Sequence, residues 1–217
     1  LYQAQGRYGE AEPLLVQALE IREQLLGDEH LKVVASLDKL AHLYKSQSRY
    51  KEAEPLLVQA LEIRERALGS EHLDVALSLN RLGLFYQSQG RYKEAEPLLM
   101  QTLELRKSLL GEHNLIVAWS MHNLATLYCD QGLTSEAESL FVQALELKKH
   151  LLRNDHPEMA ISLDSLGYIY QSQGRYSDAE QLYVQAVEIF EQQLGVDHPT
   201  TITARQRLDT LRTTIGS

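Results

Sequence analysis

The stretch Gly90–Gly111, GRYKEAEPLLMQTLELRKSLLG, decides the fold, because the chain repeats it at a fixed interval. It stands 42 residues earlier as SRYKEAEPLLVQALEIRERALG from Ser48 to Gly69, and it recurs from Gly6 to Gly27. Looser copies run over Gly132–Arg153 and Gly174–Gly195. Between Lys45–Gly69 and Gln87–Gly111, 17 of 25 positions are identical, far beyond chance. A fixed period of this length marks a repeat architecture, in which each unit buries its apolar face against its neighbours. The 217 residues are therefore read as a single array. A partial repeat covers 1–30, complete repeats cover 31–72, 73–114, 115–156 and 157–198, and a closing helix covers 199–217.

The repeat over 73–114 serves as the template. Val75, Leu79, Leu82, Gly83 and Tyr86 fall at i, i+4, i+7, i+8 and i+11, one face of a helix A over about 73–88. Gln89-Gly90 ends it, since glycine enters the left-handed conformation of a helix C-terminus without a Cβ penalty. Helix B then spans about 92–109, packing through Tyr92, Ala95, Leu99, Thr102, Leu103, Arg106 and Leu110. Pro97 lies too deep for a first-turn proline and predicts a kink or an irregular first turn, as do Pro13 and Pro55. The other A helices are expected at about 31–46, 115–130 and 157–172, and the B helices at about 8–26, 50–67, 134–152 and 176–194. A last A-type helix spans about 199–214, with Arg205 and Asp209 where core residues stand elsewhere, as a capping element needs. Period-two alternation is absent, so the fold class is all-α.

Composition narrows the function. A net charge of −9 argues against a nucleic-acid surface, which depends on clustered Lys and Arg. No apolar run is long enough to span a membrane, and the single cysteine, Cys129, forms no intramolecular disulfide. The opening LYQAQG aligns with LYKSQS at Leu43–Ser48, so the chain is expected to begin inside a helix of a longer, cytoplasmic protein.

Each repeat carries a small residue on helix A (Ala41, Gly83, Ala125, Gly167), a tyrosine three positions later, and an alanine on helix B twelve positions on (Ala53, Ala95, Ala137, Ala179). Small residues let paired helices approach closely. Leu-x-x-Leu-Ala/Gly-x-x-Tyr followed by Ala-x-x-x-Leu/Phe/Tyr-x-x-Ala resembles the tetratricopeptide-repeat pattern. The 42-residue unit, with A-E-P-L-L-x-Q-A-L-E-I-R-E and L-G-x-E-H, is similar to the kinesin-light-chain type of that family, and such arrays are common in bacterial, notably cyanobacterial, proteins. The resemblance implies a right-handed superhelix of antiparallel helix pairs whose concave wall is built from A helices. It further implies a scaffold that binds a protein or peptide segment in that groove.

The positions between core residues on helix A then become the candidate partner-binding residues. They are Asp38, His42 and Lys45, then Asn80, Leu84 and Gln87, then His122, Asn123 and Thr126, then Asp164, Tyr168 and Gln171. Their chemistry changes from repeat to repeat while the core barely varies. Kinesin light chains resemble one another in carrying Leu-Asn-Asn-Leu-Ala on helix A, with asparagines that hold a peptide backbone. Here only Asn80 matches the first asparagine and Asn123 the second, while Asp38 and Asp164 replace the first and add negative charge. That charge favours an apolar or basic segment over the acidic, tryptophan-containing peptides of the family.

Chemistry is not expected. His30, His72, His156 and His198 recur in the turn before helix A and are read as turn caps, being too far apart to share a metal. His122 and Cys129 are two helical turns apart, roughly 10 Å, too far for a base to activate a thiol. No catalytic residue, metal or cofactor is therefore predicted. The alternative function is structural self-association into a homo-oligomer through exposed repeat ends, with Leu1, Tyr2, Leu14 and Leu15 as the motivating residues.

Overall fold

The computed structural model describes residues 8–215. Among them are ten helices and no strand. They are α1 (Tyr8–Leu26), α2 (Leu31–Ser46), α3 (Tyr50–Leu68), α4 (Leu73–Gln87), α5 (Tyr92–Leu110), α6 (Leu115–Asp130), α7 (Thr134–Leu151), α8 (Pro157–Ser172), α9 (Tyr176–Leu194) and α10 (Pro199–Ile215). Even-numbered helices are of the A type and odd-numbered ones of the B type. Leu1 and Tyr2 lie outside the described residues. The chain falls into two compact units, Leu1–Leu109 and Leu110–Ser217.

The first unit is built on Val33, Val34, Leu37, Ala60 and Ile63 where α2 and α3 meet, and on Ala41, Ala53, Leu57, Leu82 and Phe85 further along. The second has one core that runs from Ala125 and Phe141 through Leu163, Tyr183 and Phe190 to Leu208 and Leu211 of α10. The small residues do what their size allows. A Cβ built on Gly83 would stand 2.8 Å from Leu99 Cγ, and one on Gly167 would stand 2.9 Å from the Tyr183 ring. Helix A thus closes onto helix B at these two points.

The A-to-B turns use a left-handed residue at one fixed place. It is glycine at Gly90 (φ 72°), Gly132 and Gly174, but Ser48 at φ 59° in the first complete repeat. The prolines interrupt no helix. α1, α3 and α5 run unbroken as α-helix through Pro13, Pro55 and Pro97, and Ala95 N donates normally to Arg91 O at 3.1 Å ahead of Pro97. In α3 and α5 the first turn is tightened, since Glu52 N and Glu94 N also donate to Arg49 O and Arg91 O, three residues back, at 3.2 Å, and each proline lies on an exposed face.

The turn histidines are helix caps. Nδ1 of His30, His72, His156 and His198 accepts from the backbone N–H two residues on, at 3.0, 3.0, 3.1 and 3.2 Å. Where histidine sits one place early, at His113, Asn114 Oδ1 takes over and accepts from Ile116 N at 2.8 Å. A side-chain acceptor at this position satisfies a helix donor that would otherwise be orphaned. His72→Ala should accordingly cost about 1 kcal/mol, whereas His72→Asn, copying Asn114, should lie within a few tenths of wild type. Urea midpoints of the two variants check this.

α10 packs through Thr201, Ala204, Leu208 and Leu211 and turns Asp209 outward. Arg205, in the place of a core leucine, bonds Glu191 instead, and Arg212 Nε donates to Glu180 at 2.7 Å. The helix closes the second unit with charge.

Candidate functional site

In the first unit, α2 and α4 face each other across a cavity of about 350 Å³. Ala41, Leu57 and Phe85 form its apolar floor, and Asp38, Lys39, His42, Lys45, Arg81 and Leu84 form its walls. Four expected binding residues (Asp38, His42, Lys45 and Leu84) therefore come together. His42 is exposed, and Lys45 and Leu84 are half-buried.

Asp38 corrects the expectation. Its side chain is only 11% exposed. Oδ2 accepts from Arg64 Nη2 at 2.9 Å and also from Arg81 Nη1, while Oδ1 is buried without a hydrogen-bond partner. The carboxylate is thus spent inside the protein. Lys39, Lys45 and Arg81 leave the wall locally positive although the chain is acidic, because the chain's acidic residues concentrate on the B helices. Burial lowers the pKa of Lys45, and no carboxylate offsets this. Asn80 and Gln87 of α4 are half-buried outside this cavity.

The second unit repeats the device. Asp164, 14% exposed, accepts from Arg207 of α10 through Oδ2 and keeps Oδ1 buried without a partner. Burial raises its pKa, and Arg207 offsets this only in part. The pair flanks a cavity of about 360 Å³ over Ile161, Phe190 and Ala204. Asp38 with Arg81 and Asp164 with Arg207 share one spacing of 43 residues. Aspartate at this position therefore ties an A helix to the A helix of the following repeat, which a reading of Asp38 and Asp164 as free groove charges had missed.

His122 is a second correction. Its imidazole packs edge-on against Phe141 at 5.1 Å between centroids, and Nδ1 is buried without a hydrogen-bond partner. Burial, then the nearby Lys148 ammonium, pushes its pKa down to about 4. Thr126 is half-buried and donates to His122 O at 2.9 Å. Gln171 accepts from Tyr183 Oη at 3.0 Å. Asn123 is half-buried, and Tyr168 is 54% exposed. Burial raises the Cys129 thiol to about 11, which leaves no thiolate for nucleophilic chemistry.

Residues that periodicity alone had not singled out hold the repeats together. Arg22 bonds Ser36 and Arg64 bonds Ser78, while Lys148 Nζ bonds Ser162 Oγ at 3.0 Å and Glu158 Oε2 at 2.9 Å. One repeat later the pair becomes Phe190 and Ala204, both buried. At the other edge Arg49, Arg91 and Arg175 lie over Tyr44, Tyr86 and Tyr170 at 4.1, 4.2 and 3.6 Å. These arginines also bond Glu12, Glu54 and Glu138 of the preceding B helix.

Helix pairs that repeat every 42 residues, locked by small residues within a pair and by arginines between pairs, are matched by the tetratricopeptide-repeat model over residues 1–66, 33–107, 74–150, 129–192 and 158–208. The chain belongs to the tetratricopeptide-repeat family. Solved structures of the kinesin-light-chain type are among those it resembles. The chain is 32% identical to the nearly identical TPR-like repeats of a kinesin light chain of Podospora anserina, covering 88% of this chain and 90% of that one at a TM-score of 0.75. It is 26% identical to BtubC (BKLC) from P. vanneervenii, over 91% and 78% of the two chains, with a TM-score of 0.77. RapI in its apo form, 18% identical over 87% and 52%, shares the fold at a TM-score of 0.68. No curated protein matches the tetratricopeptide array. Its match is to a repeat family rather than a catalytic one, and such repeats generally serve as protein–protein interaction scaffolds. Among the described residues no helix is long and apolar enough to cross a membrane, and no group of three or more His, Cys, Asp or Glu is placed to hold a metal.

Proposed function

We propose that the array is an interaction scaffold and that the cavity between α2 and α4 takes a short segment of a partner protein. The observation that carries this reading is the convergence of His42, Lys45 and Leu84 over the apolar floor of Leu57 and Phe85. The segment it suits pairs an apolar side chain with a carboxylate. The floor takes the first, and Lys45, half-buried and without an ion pair among the described residues, gains from the second. This reverses the preference for a basic segment that net charge suggested, because Asp38 is neutralised by Arg64 and Arg81.

A random-peptide display library selected against the chain provides the test. Recovered peptides should be rich in Asp or Glu beside Leu, Phe or Trp. Leu84→Glu, whose side chain lies at a half-buried wall rather than in the core, should weaken them at least about ten-fold, on the order of 1.4 kcal/mol. Peptides indifferent to Leu84→Glu and to Lys45→Glu, with helicity unchanged, would place binding elsewhere.

Self-association is the second reading. It is favoured by α1, where Leu14 and Leu25 are 53% and 76% exposed. Light scattering after gel filtration separates the two, since a species that stays monomeric at high concentration excludes it.

A further inference from the structure

We infer that the cavity between α8 and α10 in the second unit is a binding site for a primary ammonium group carried on a short alkyl stem. Asp38 and Asp164 hold the same place in the repeat, three periods apart, and their surroundings differ. Around Asp38 the chain gathers four cations. Oδ2 accepts from Arg64 and Arg81, and Lys39 and Lys45 stand in the same cavity wall. Three periods on, Arg81 returns as Arg207, but Arg64 becomes Phe190, Lys39 becomes Ser165 and Lys45 becomes Gln171. The carboxylate is kept and three of the four cations are gone.

What remains is a buried acceptor short of donors. Among the described residues Arg207 is the one ion-pair partner of Asp164. Oδ2 accepts one guanidinium N–H where Asp38 Oδ2 accepts two, and Oδ1 accepts none. Burial favours the neutral acid, and Arg207 offsets that only in part. A second cation at Oδ2 relieves the same cost. There is room for it, since the carboxylate borders a cavity of about 360 Å³ floored by Ile161, Phe190 and Ala204. The Phe190 ring replaces the lost guanidinium but donates nothing.

The acceptors around the cavity select the cation. Arg207 already bonds Oδ2 and Oδ1 is closed off, so the two parallel N–H groups of a guanidinium find no matching pair of oxygens. An ammonium is a compact charge with three donors. Asp164 Oδ2 takes one, and the hydroxyl oxygens of Thr200 and Thr203 in the cavity wall accept the others. Thr203 spends its own proton on Pro199 O at 2.9 Å, which leaves only its lone pairs to a ligand. The stem lies against Ile161, 37% exposed. The dipole of α10 opposes a cation at its first turn, yet Lys148 sits at the same end of α8, bonded to Glu158 and Ser162, so a nearby carboxylate outweighs it. This site lies in the second unit and does not depend on the cavity between α2 and α4.

The test titrates n-butylammonium chloride into the isotopically labelled chain at constant ionic strength and follows amide chemical shifts. Saturable shifts are expected at Thr200, Thr203 and Ala204, with n-butanol, the same stem without the charge, binding about ten-fold or more weakly. Asp164→Asn keeps the shape of the side chain and should weaken the amine about ten-fold or more. Thr203→Lys, on the exposed face of α10, supplies an ammonium from within and should abolish the response, and it covers the case in which Asp164→Asn does not fold. N-acetyl-lysine amide separates two sources of the same chemistry. Binding as tight as that of butylammonium assigns the site to a lysine side chain of another protein, weaker binding assigns it to a free amine, and either result upholds the site. No saturable shifts at α10, an equal response to n-butanol, or binding that survives both substitutions overturns the proposal.

Discussion

Lys148→Ala is expected to destabilise the second unit by about 3 kcal/mol, the low end of what breaking a buried ion pair costs. Lys148 is 1% exposed, yet its ammonium bonds Glu158 Oε2, Glu158 O and Ser162 Oγ. Burial alone would raise the Glu158 carboxyl, but the bonds from Lys148 and from Trp119 Nε1 outweigh it and hold the group low. Removing the lysine leaves a partly buried carboxylate and an unfilled volume together. Glu158 keeps 27% of its side-chain surface, so water can reach it, which is why the low end applies. The loss corresponds to a melting point lower by roughly 6–12 °C at this chain length.

The chain contains its own control. One repeat on, Phe190, Thr200 and Ala204 occupy the places of Lys148, Glu158 and Ser162. Lys148→Phe with Glu158→Thr and Ser162→Ala should therefore return to within about 1 kcal/mol of wild type, since apolar replacement of a whole buried ion pair is often neutral or better. Trp119, the single tryptophan, donates to Glu158 at 2.9 Å, so its fluorescence reports unfolding at this place. A triple variant no more stable than Lys148→Ala would show that the polar cluster is needed as such.

How much of this was legible beforehand follows from the physics of repetition. Helix limits could be read because each boundary is set locally, by a left-handed glycine after an A helix or a histidine or asparagine cap before one, and each signal recurs every 42 residues. The four turn histidines were recognisable as caps for the same reason. Which polar groups face water was not legible. Asp38 and His122 occupy positions that helical spacing leaves on the open side of their A helix, yet an arginine two helices away covers the first and Phe141 covers the second. Such pairings depend on the angle between successive repeats, which the period of one helix does not carry. They could have been found from joint changes along the chain, since Arg64 becomes Phe190 where Ser78 becomes Ala204, and Arg81 and Arg207 occur with Asp38 and Asp164.

His122 should make the second unit acid-sensitive above the range where its carboxylates titrate. Its pKa stands at about 4 when folded, against an ordinary value near 6.5 when unfolded. Between these values the unfolded chain binds a proton that the folded chain refuses, so stability falls as pH falls, at up to about 1.4 kcal/mol per pH unit. The causes are burial first and then the repulsion of Lys148, opposed by attraction to Glu158. The contribution is complete above about pH 6.5 and is lost progressively down to about pH 4. From pH 7.5 to pH 4.5 the loss is about 2 kcal/mol. His122→Asn, which places at this position the residue that Asn80 supplies one repeat earlier, removes the titrating group. It should be less stable than wild type at pH 7.5, because the ring contact with Phe141 is lost, but it should lose about 2 kcal/mol less on acidification. The difference between the two slopes isolates the imidazole from every carboxylate that both proteins share, and urea midpoints followed by Trp119 emission measure it. Parallel slopes would mean that His122 is hydrated enough to protonate in place, and the packing of α6 against α7 at Phe141 would then have to be looser than the 5.1 Å ring contact implies.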